Sequence, residues 1–107
     1  MIKVSIMYPN TKGGKFDMGY YNDVHMPMSI NLVKDHPGYR GVIVEHGVSG
    51  VDSASDPQYV AICNYLFNSV EDFWDATGPH GDTLQDDMLK CTDLTPIIQI
   101  SDVTIKQ

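Results

Sequence analysis

Four polar side chains recur at intervals of four residues near the start of the chain, at Asp17, Tyr21, His25 and Ser29. On an α-helix this spacing places them in one line along one face. Histidine exchanges protons near neutral pH, and a tyrosine one turn away could orient it or bind a substrate oxygen. The pattern therefore predicts a general acid/base at His25, assisted by Tyr21. The alternative is a solvated helix face on which Asp17 is only the N-terminal cap.

The other three histidines lie in different settings. His80 stands between Pro79 and Gly81 at a predicted helix break. A break of this kind can form the rim of a pocket, and the alternative is an ordinary surface turn. His36 is interpreted as a helix-end residue favoured by the helix dipole. His46 alternates with valines on a predicted strand, so it is either a pocket residue or a hydrogen-bonded core residue, and we favour the second.

No cofactor or metal motif accompanies these residues. The segment at residues 12–15, KGGK, lacks the spacing of a phosphate-binding P-loop. Cys63 and Cys91 belong to no CxxC or Cys/His pattern. We therefore expect no cofactor and no metal. Both cysteines are interpreted as small buried hydrophobic side chains without a disulfide.

Composition limits the classes of partner. A chain of 107 residues fits a single domain spanning 1–107. Its net charge of −7 disfavours binding to nucleic acids and to anionic membranes. No apolar run approaches the roughly 18 residues of a membrane span, and no signal-peptide pattern opens the chain. We therefore expect a cytoplasmic protein.

The line of polar residues lies on the first of two predicted helices, over residues 18–35. The packed face of this helix has a four-residue period, through Phe16, Tyr20, Val24, Met28 and Leu32. Pro27 cannot donate a backbone hydrogen bond and its ring crowds the preceding turn, so we expect a kink or a split near His25. A second helix begins after Ser69, which forms a capping box with Asp72, and is interrupted at residues 78–81.

Four strands complete the pattern, at residues 2–8, 39–48, 59–67 and 97–105. The apolar residues of the last strand change parity at Ser101-Asp102, which predicts a bulge or bend there. The order βαββαβ predicts an α+β, ferredoxin-like fold with a four-stranded antiparallel sheet and two helices on one face. Because the third strand is apolar on both faces, the helix-free face needs cover, and we expect a homodimer packed sheet to sheet.

Residues 16–28, FDMGYYNDVHMPM, resemble the FDxxYYxxxHMPL signature of the EthD family, named for ethyl tert-butyl ether degradation. The likeness extends over nearly the whole chain, including GPHG at residues 78–81. It implies a ferredoxin-like subunit of a dimeric α/β barrel. By position, Tyr21, His25 and His80 match the family's polar residues, whereas Gly19 and Met28 depart from its pattern. Related barrels include cofactor-independent monooxygenases, cyclases, isomerases and dehydratases acting on small, often aromatic, compounds.

These observations support hypotheses of different classes. The first is a small cofactor-independent enzyme or accessory protein of catabolism, oxidoreductase-like or lyase/isomerase-like, that acts on an oxygenated or aromatic compound. His25 would be its general acid/base and Tyr21 would orient the reacting group, with His80, Tyr20 and Trp74 contacting the substrate. The second is a non-catalytic dimeric module that binds a small hydrophobic molecule. The third is haem binding, which the resemblance implies because some relatives of this barrel use a histidine ligand.

Overall fold

The computed structural model describes residues 1–107 and contains four strands and two helical segments. The strands are β1 (Ile2–Pro9), β2 (Tyr39–His46), β3 (Tyr59–Phe67) and β4 (Ile97–Asp102). The first helical segment comprises α1 (Met18–Tyr20), a π-helical turn (Tyr21–His25) and α2 (Met26–Val33). The second comprises α3 (Val70–Thr77), a 3₁₀ turn (Gly78–His80) and α4 (Gly81–Cys91). None of these helices combines the length and the hydrophobicity needed to cross a membrane.

The strands form one antiparallel sheet in the order β2-β3-β1-β4. Residues directly opposite each other on neighbouring strands share a face of the sheet. Val4 pairs with Tyr65 on one side and with Ile100 on the other, so these three side chains project to the same face. The predicted ferredoxin-like α+β fold is confirmed.

The buried core lies between this face and both helical segments. From the sheet it contains Val4, Cys63 and Phe67, which share one parity. The first helical segment contributes Met26 and Val33 to the same cluster, and the second contributes Phe73, Ala76 and Cys91. Because both segments pack on side chains of one parity, they cover the same face of the sheet, as predicted.

The first helical segment begins and breaks where its sequence predicts. The Asp17 carboxylate accepts a hydrogen bond from the Tyr20 amide at 3.0 Å, which satisfies one of the free donors at the helix start. The predicted disruption near His25 is a π-helical turn, in which the Met26 amide donates to the Tyr21 carbonyl five residues back. Pro27 follows directly, at the start of α2, where a missing amide donor costs least. The helix ends at Val33 rather than at residue 35.

The second helical segment also follows its sequence signals. The Ser69 side chain accepts a hydrogen bond from the Asp72 amide at 3.1 Å and caps α3, as predicted. The predicted break at residues 78–81 is the 3₁₀ turn, after which α4 continues to Cys91. Trp74 lies on the outer side of α3 and is 57% exposed.

Two features of the sheet differ from the predictions. The last strand has no bulge at Ser101-Asp102, because the register with β1 is continuous and β4 ends at Asp102. The change of parity therefore marks the end of the strand. Register shifts lie instead at the end of β1, between Tyr8 and Pro9, and at the start of β2, between Tyr39 and Gly41. Gly41 has a φ of 131°, which favours glycine.

The face of the sheet opposite the helices is partly apolar. It carries the second parity of each strand: Met7 on β1, Ile43 on β2, Ile62 and Leu66 on β3, and Ile97 on β4. In its centre Ser5 donates to the Asn64 side chain, which in turn donates to Glu45. Ile43 and Ile97 remain about half exposed, at 53% and 50%.

Candidate active site

A cavity of about 180 Å³ lies between the sheet and the two helical segments. Ten of its fifteen lining residues are hydrophobic, so its interior is mainly apolar. The lining residues from the sheet include Ile6, Tyr8, Cys63 and Tyr65, and those from the helices include Tyr21, His25, Met26, Phe73, Leu84 and Met88. Pro96 and Ile98 line it at the edge of the sheet, where β4 has little cover.

His25 is the last residue of the π-helical turn, and its ring lies on the cavity wall. The residue is 5% exposed, and its Nδ1 lies 2.8 Å from Oδ2 of Asp87. An ionised carboxylate can only accept a hydrogen bond, so Nδ1 carries the proton. The other ring nitrogen, Nε2, makes no hydrogen bond within the protein and has a free lone pair. The imidazole is therefore arranged to take a proton from a molecule in the cavity.

Asp87 is the site residue that the sequence analysis missed. It lies on α4, which packs beside the π-helical turn because the start of the first helical segment pairs with the end of α4. There the Asp17 amide donates to the Cys91 carbonyl at 2.9 Å. Asp87 was one of twelve aspartates with no motif around it, and it is 62 residues from His25 in sequence. No local signal connects the two.

The Asp87 carboxylate is itself held in place. Tyr20 donates its hydroxyl hydrogen to Oδ1 at 2.6 Å, and His25 occupies Oδ2. The hydrogen bond from Tyr20 is the largest cause that lowers the pKa of Asp87 below its usual value, with smaller contributions from His25 and Lys90. Partial burial acts in the opposite direction. The same hydrogen bond raises the pKa of Tyr20.

Tyr21 supports the His25 ring from one side. The two rings are stacked, with centroids 5.6 Å apart and planes 11° from parallel. Burial is the main cause that raises the pKa of Tyr21 above the usual value for a phenol, so the hydroxyl stays protonated. Tyr21 can orient the imidazole and donate a hydrogen bond, but it cannot serve as a base near neutral pH.

The remaining polar groups of the cavity are neutral. Burial raises the pKa of the Cys63 thiol to about 12, although the nearby hydroxyls of Tyr21 and Tyr65 act to lower it. Cys63 is therefore a thiol and not a nucleophilic thiolate at neutral pH. Tyr65 also forms a very short hydrogen bond with Ser29, which is completely buried. Among the lining side chains, only His25 is of a type that exchanges protons near neutral pH.

The four polar residues of the predicted line lie in different environments in the structure. Tyr21 and His25 both line the cavity. Asp17 is an exposed cap, as the alternative interpretation had it, and Ser29 is buried beneath the cavity wall against Tyr65. The line divides because the π-helical turn changes the angle between residues before and after it, so a spacing of four no longer fixes one face.

The other predicted substrate contacts do not line the cavity. Tyr20 reaches the site through Asp87 and not through the cavity itself. His80 is half-buried next to the lining residue Gly81, and Trp74 contacts Phe73 from the solvent side, with ring centroids 5.0 Å apart. The substrate-binding roles of Tyr20, His80 and Trp74 therefore stay predictions.

The two remaining histidines lie outside the site. His36 follows the first helical segment and pairs with Asp75 at 2.8 Å, which agrees with a structural role at the helix end. His46 is the last residue of the edge strand β2 and is exposed, so neither the pocket nor the core interpretation was correct. No group of three or more His, Cys, Asp or Glu side chains could hold a metal ion.

The fold and cavity define a ferredoxin-like α+β domain with a buried His–Asp pair on the wall of a small apolar cavity. No protein-family model matches the chain. A search of curated proteins also found no match. Solved structures do match. An EthD-like protein from Ralstonia eutropha JMP134 is 38% identical with a TM-score of 0.91, over 99% of this chain and 94% of that one.

Two more distant structures share the fold. An EthD family protein from Bacillus halodurans C-125 is 18% identical, with a TM-score of 0.69 over 97% of this chain and 99% of that one. A Bordetella bronchiseptica protein assigned as an antibiotic biosynthesis monooxygenase is 12% identical, with a TM-score of 0.59 over 97% and 96% of the two chains. The resemblance noted in the sequence is confirmed by the Ralstonia protein: the chain belongs to the EthD family.

Proposed function

We propose that this protein is a small, cofactor-independent enzyme of catabolism in which His25 is the general acid/base. The observation that carries the proposal is the hydrogen bond between Nδ1 of His25 and Asp87, which leaves Nε2 as a free base at the cavity. Buried histidines paired with carboxylates serve this purpose because the carboxylate fixes the tautomer and stabilises the imidazolium that forms. An accessory protein in the same catabolism would use the same site to bind its ligand.

The cavity limits the size and the polarity of the substrate. Its volume of about 180 Å³ is close to that of an engineered protein cavity of about 150 Å³ that holds one benzene molecule. A mainly apolar lining favours a neutral compound, oxygenated or aromatic, of roughly one ring. Cofactor-independent oxidations, eliminations and isomerisations can each begin with removal of a proton, which is the step assigned to His25. The Bordetella protein with this fold is assigned as a monooxygenase.

The test is turnover of a panel of ring-sized ketones, phenols and ethers by His25→Ala and Tyr21→Phe. We expect His25→Ala to lower turnover by about 10²-fold or more, as for loss of a general base, and Tyr21→Phe to lower it less. Tyr20→Phe, His80→Ala and Trp74→Ala test the proposed substrate contacts in the same assay. Tyr39→Phe is a matched control, because Tyr39 packs on Phe67 and does not line the cavity. Unchanged turnover in both His25→Ala and Tyr21→Phe would contradict the proposal.

The second candidate is a binding module without catalysis, and the apolar lining of the cavity favours it. In that case ligand binding survives His25→Ala but fails when a lining residue such as Phe73 is replaced by a polar one. Calorimetry with the same panel measures binding, and the turnover assay measures catalysis. An enzyme loses turnover in His25→Ala, whereas a binding module binds the ligand but shows no turnover in either form.

Haem binding fits the site poorly. A porphyrin is several times larger than one benzene ring, and the cavity has room for roughly one ring. The colour of the protein after haem addition is the direct test, and a Soret band would contradict this assessment.

We also propose that two copies pack through their helix-free sheet faces. The half-exposed Ile43 and Ile97, which lie on this face on the two edge strands, support this arrangement, since exposed apolar patches often mark protein–protein contacts. The cytoplasmic location and the absence of nucleic-acid and membrane partners stay predictions from composition.

A further inference from the structure

Tyr8 lines the cavity, and its hydroxyl makes no hydrogen bond within the protein. Of the other two tyrosines that line the cavity, Tyr65 is hydrogen-bonded to Ser29, and Tyr21 lies beside the Cys63 thiol. Tyr8 as a whole is 5% exposed, but no buried polar side-chain atom lacks a partner, so its hydroxyl is accessible to solvent. A hydroxyl that is accessible on a cavity wall and has no protein partner can donate a hydrogen bond to a ligand in that cavity.

The position of Tyr8 relates it to the proposed base. Its ring packs edge-on against Tyr21, with centroids 6.2 Å apart, and Tyr21 is stacked on His25 from the other side. Tyr8 belongs to the sheet and His25 to the helical layer, so a ring-sized molecule between the two layers can meet both. Tyr8 also lines a smaller adjoining cleft that shares Gln85, Met88 and Pro96 with the cavity. That cleft offers space for a short substituent.

The protonation state of Tyr8 suits a hydrogen-bond donor. Burial is the largest cause that raises its pKa above the usual value for a phenol. The hydroxyl therefore stays neutral and keeps its hydrogen across the physiological range. In an apolar cavity such a donor stabilises a developing oxyanion much more than it stabilises a neutral carbonyl.

We infer that Tyr8 binds the oxygen of a small cyclic carbonyl compound while His25 removes a proton from the carbon next to that carbonyl. This inference rests on the proposed role of His25 as a base. In the step the α C–H bond breaks and its proton moves to Nε2 of His25. The electron pair of that bond forms a carbon–carbon double bond, and the carbonyl π pair moves to the oxygen, which becomes an enolate oxygen bound by Tyr8. Return of the proton to carbon or oxygen completes an exchange or an isomerisation without an oxidant.

Hydrogen–deuterium exchange of cyclohexanone in D₂O at neutral pD tests the step directly, followed by proton NMR of the α position. We expect the full chain to accelerate exchange over buffer, His25→Ala to abolish the acceleration, and Tyr8→Phe to lower it by about 10²-fold, as for loss of one oxyanion donor. Tyr59→Phe is the matched control, because Tyr59 is half-buried on β3 but does not line the cavity, and it should equal the wild type.

The outcomes separate this inference from the proposed function. Full exchange in Tyr8→Phe, together with none in His25→Ala, would overturn the role of Tyr8 and leave His25 as the base. If the wild type does not accelerate exchange, cyclic carbonyl compounds are not the substrate class. The role of His25 is tested independently by turnover of the phenols and ethers in the panel.

A second measurement does not depend on the variant folding. Phenol and toluene have nearly the same size, but only phenol has an oxygen, so the wild type should bind phenol about tenfold more tightly by calorimetry. Equal affinity would overturn the inference. If Tyr8→Phe folds, it should lose this preference.

Discussion

At the scale of single residues, the proton on Nδ1 of His25 determines that Nε2 is the nitrogen that can act as the base. Asp87 accepts a hydrogen bond from Nδ1 at 2.8 Å and is itself fixed by a hydrogen bond from the Tyr20 hydroxyl at 2.6 Å. A phenol, a carboxylate and an imidazole thus form a chain that ends at the cavity. Each hydrogen bond restricts the orientation of the next side chain, and catalytic side chains are held in a productive geometry in this way.

Replacement of Asp87 by asparagine should change the tautomer of His25. An asparagine amide can donate to Nδ1, so the ring proton moves to Nε2 and the free base at the cavity is lost. We expect ¹⁵N NMR of the imidazole to show protonated Nδ1 in the wild type and protonated Nε2 in Asp87→Asn, with turnover lower by about 10²-fold or more. Asp86→Asn is the matched control, since Asp86 is exposed on the same helix. An unchanged tautomer would contradict the assignment.

The same carboxylate should make stability depend on pH. The pKa of Asp87 is lowered in the folded state, chiefly by Tyr20. Its contribution is therefore complete above the unfolded-state value of about 3.9 and is lost as the pH falls through the folded value. At pH 7 Asp87→Asn should be about 1–3 kcal/mol less stable than the wild type. In urea unfolding this difference should shrink as the pH is lowered to about 3. A difference that stays constant with pH would refute this.

At the scale of elements, the features that could be predicted are those that depend on residues close together in the sequence. The caps at Asp17 and Ser69 and the break before Pro27 depend on contacts within one helical turn. The type of break could not be predicted, because proline excludes a regular turn but does not choose between a kink and a π-helical turn. The pairing of His25 with Asp87 depends on two helices that meet only in the folded chain. Nothing in the residues next to Tyr8 indicated that its hydroxyl would face a cavity.

Gly19 offers a test of how the first helical segment begins. It lies in α1 with an ordinary helical backbone, and an added Cβ would meet only Oδ1 of Asp17 at 3.4 Å, which is normal contact. Gly19→Ala should therefore stabilise the protein by about 0.5–1 kcal/mol, because alanine loses less backbone entropy in a helix.

Gly41→Ala is the opposite case and serves as the comparison. With a φ of 131°, Gly41 occupies a backbone region that alanine rarely adopts, so this variant should be destabilised. Thermal and urea unfolding of both variants measure the two effects. A loss of stability in Gly19→Ala would show that the start of the helix needs the flexibility of glycine.

At the scale of the whole molecule, the two faces of the sheet have different surroundings. One side is covered by helices and encloses the cavity. The other has no cover within the chain, although β3 is apolar on both sides. The polar group of Ser5, Asn64 and Glu45 lies in the middle of this apolar face. In a sheet-to-sheet dimer such a group would be enclosed, and its hydrogen bonds would favour one relative orientation of the two copies.

Ile43 gives the most direct test of that dimer. It is 53% exposed on the helix-free face of the edge strand β2, and a dimer would remove it from water. Ile43→Asp places a charge there, and an unpaired buried charge costs several kcal/mol, so the variant should be monomeric by sedimentation at micromolar concentration while the wild type is a dimer. Leu89→Asp is the matched control, because Leu89 is 68% exposed on α4, in the helical layer, and its replacement should leave the dimer intact. A wild-type chain that sediments strictly as a monomer at that concentration would show that the helix-free face has no second copy as its partner.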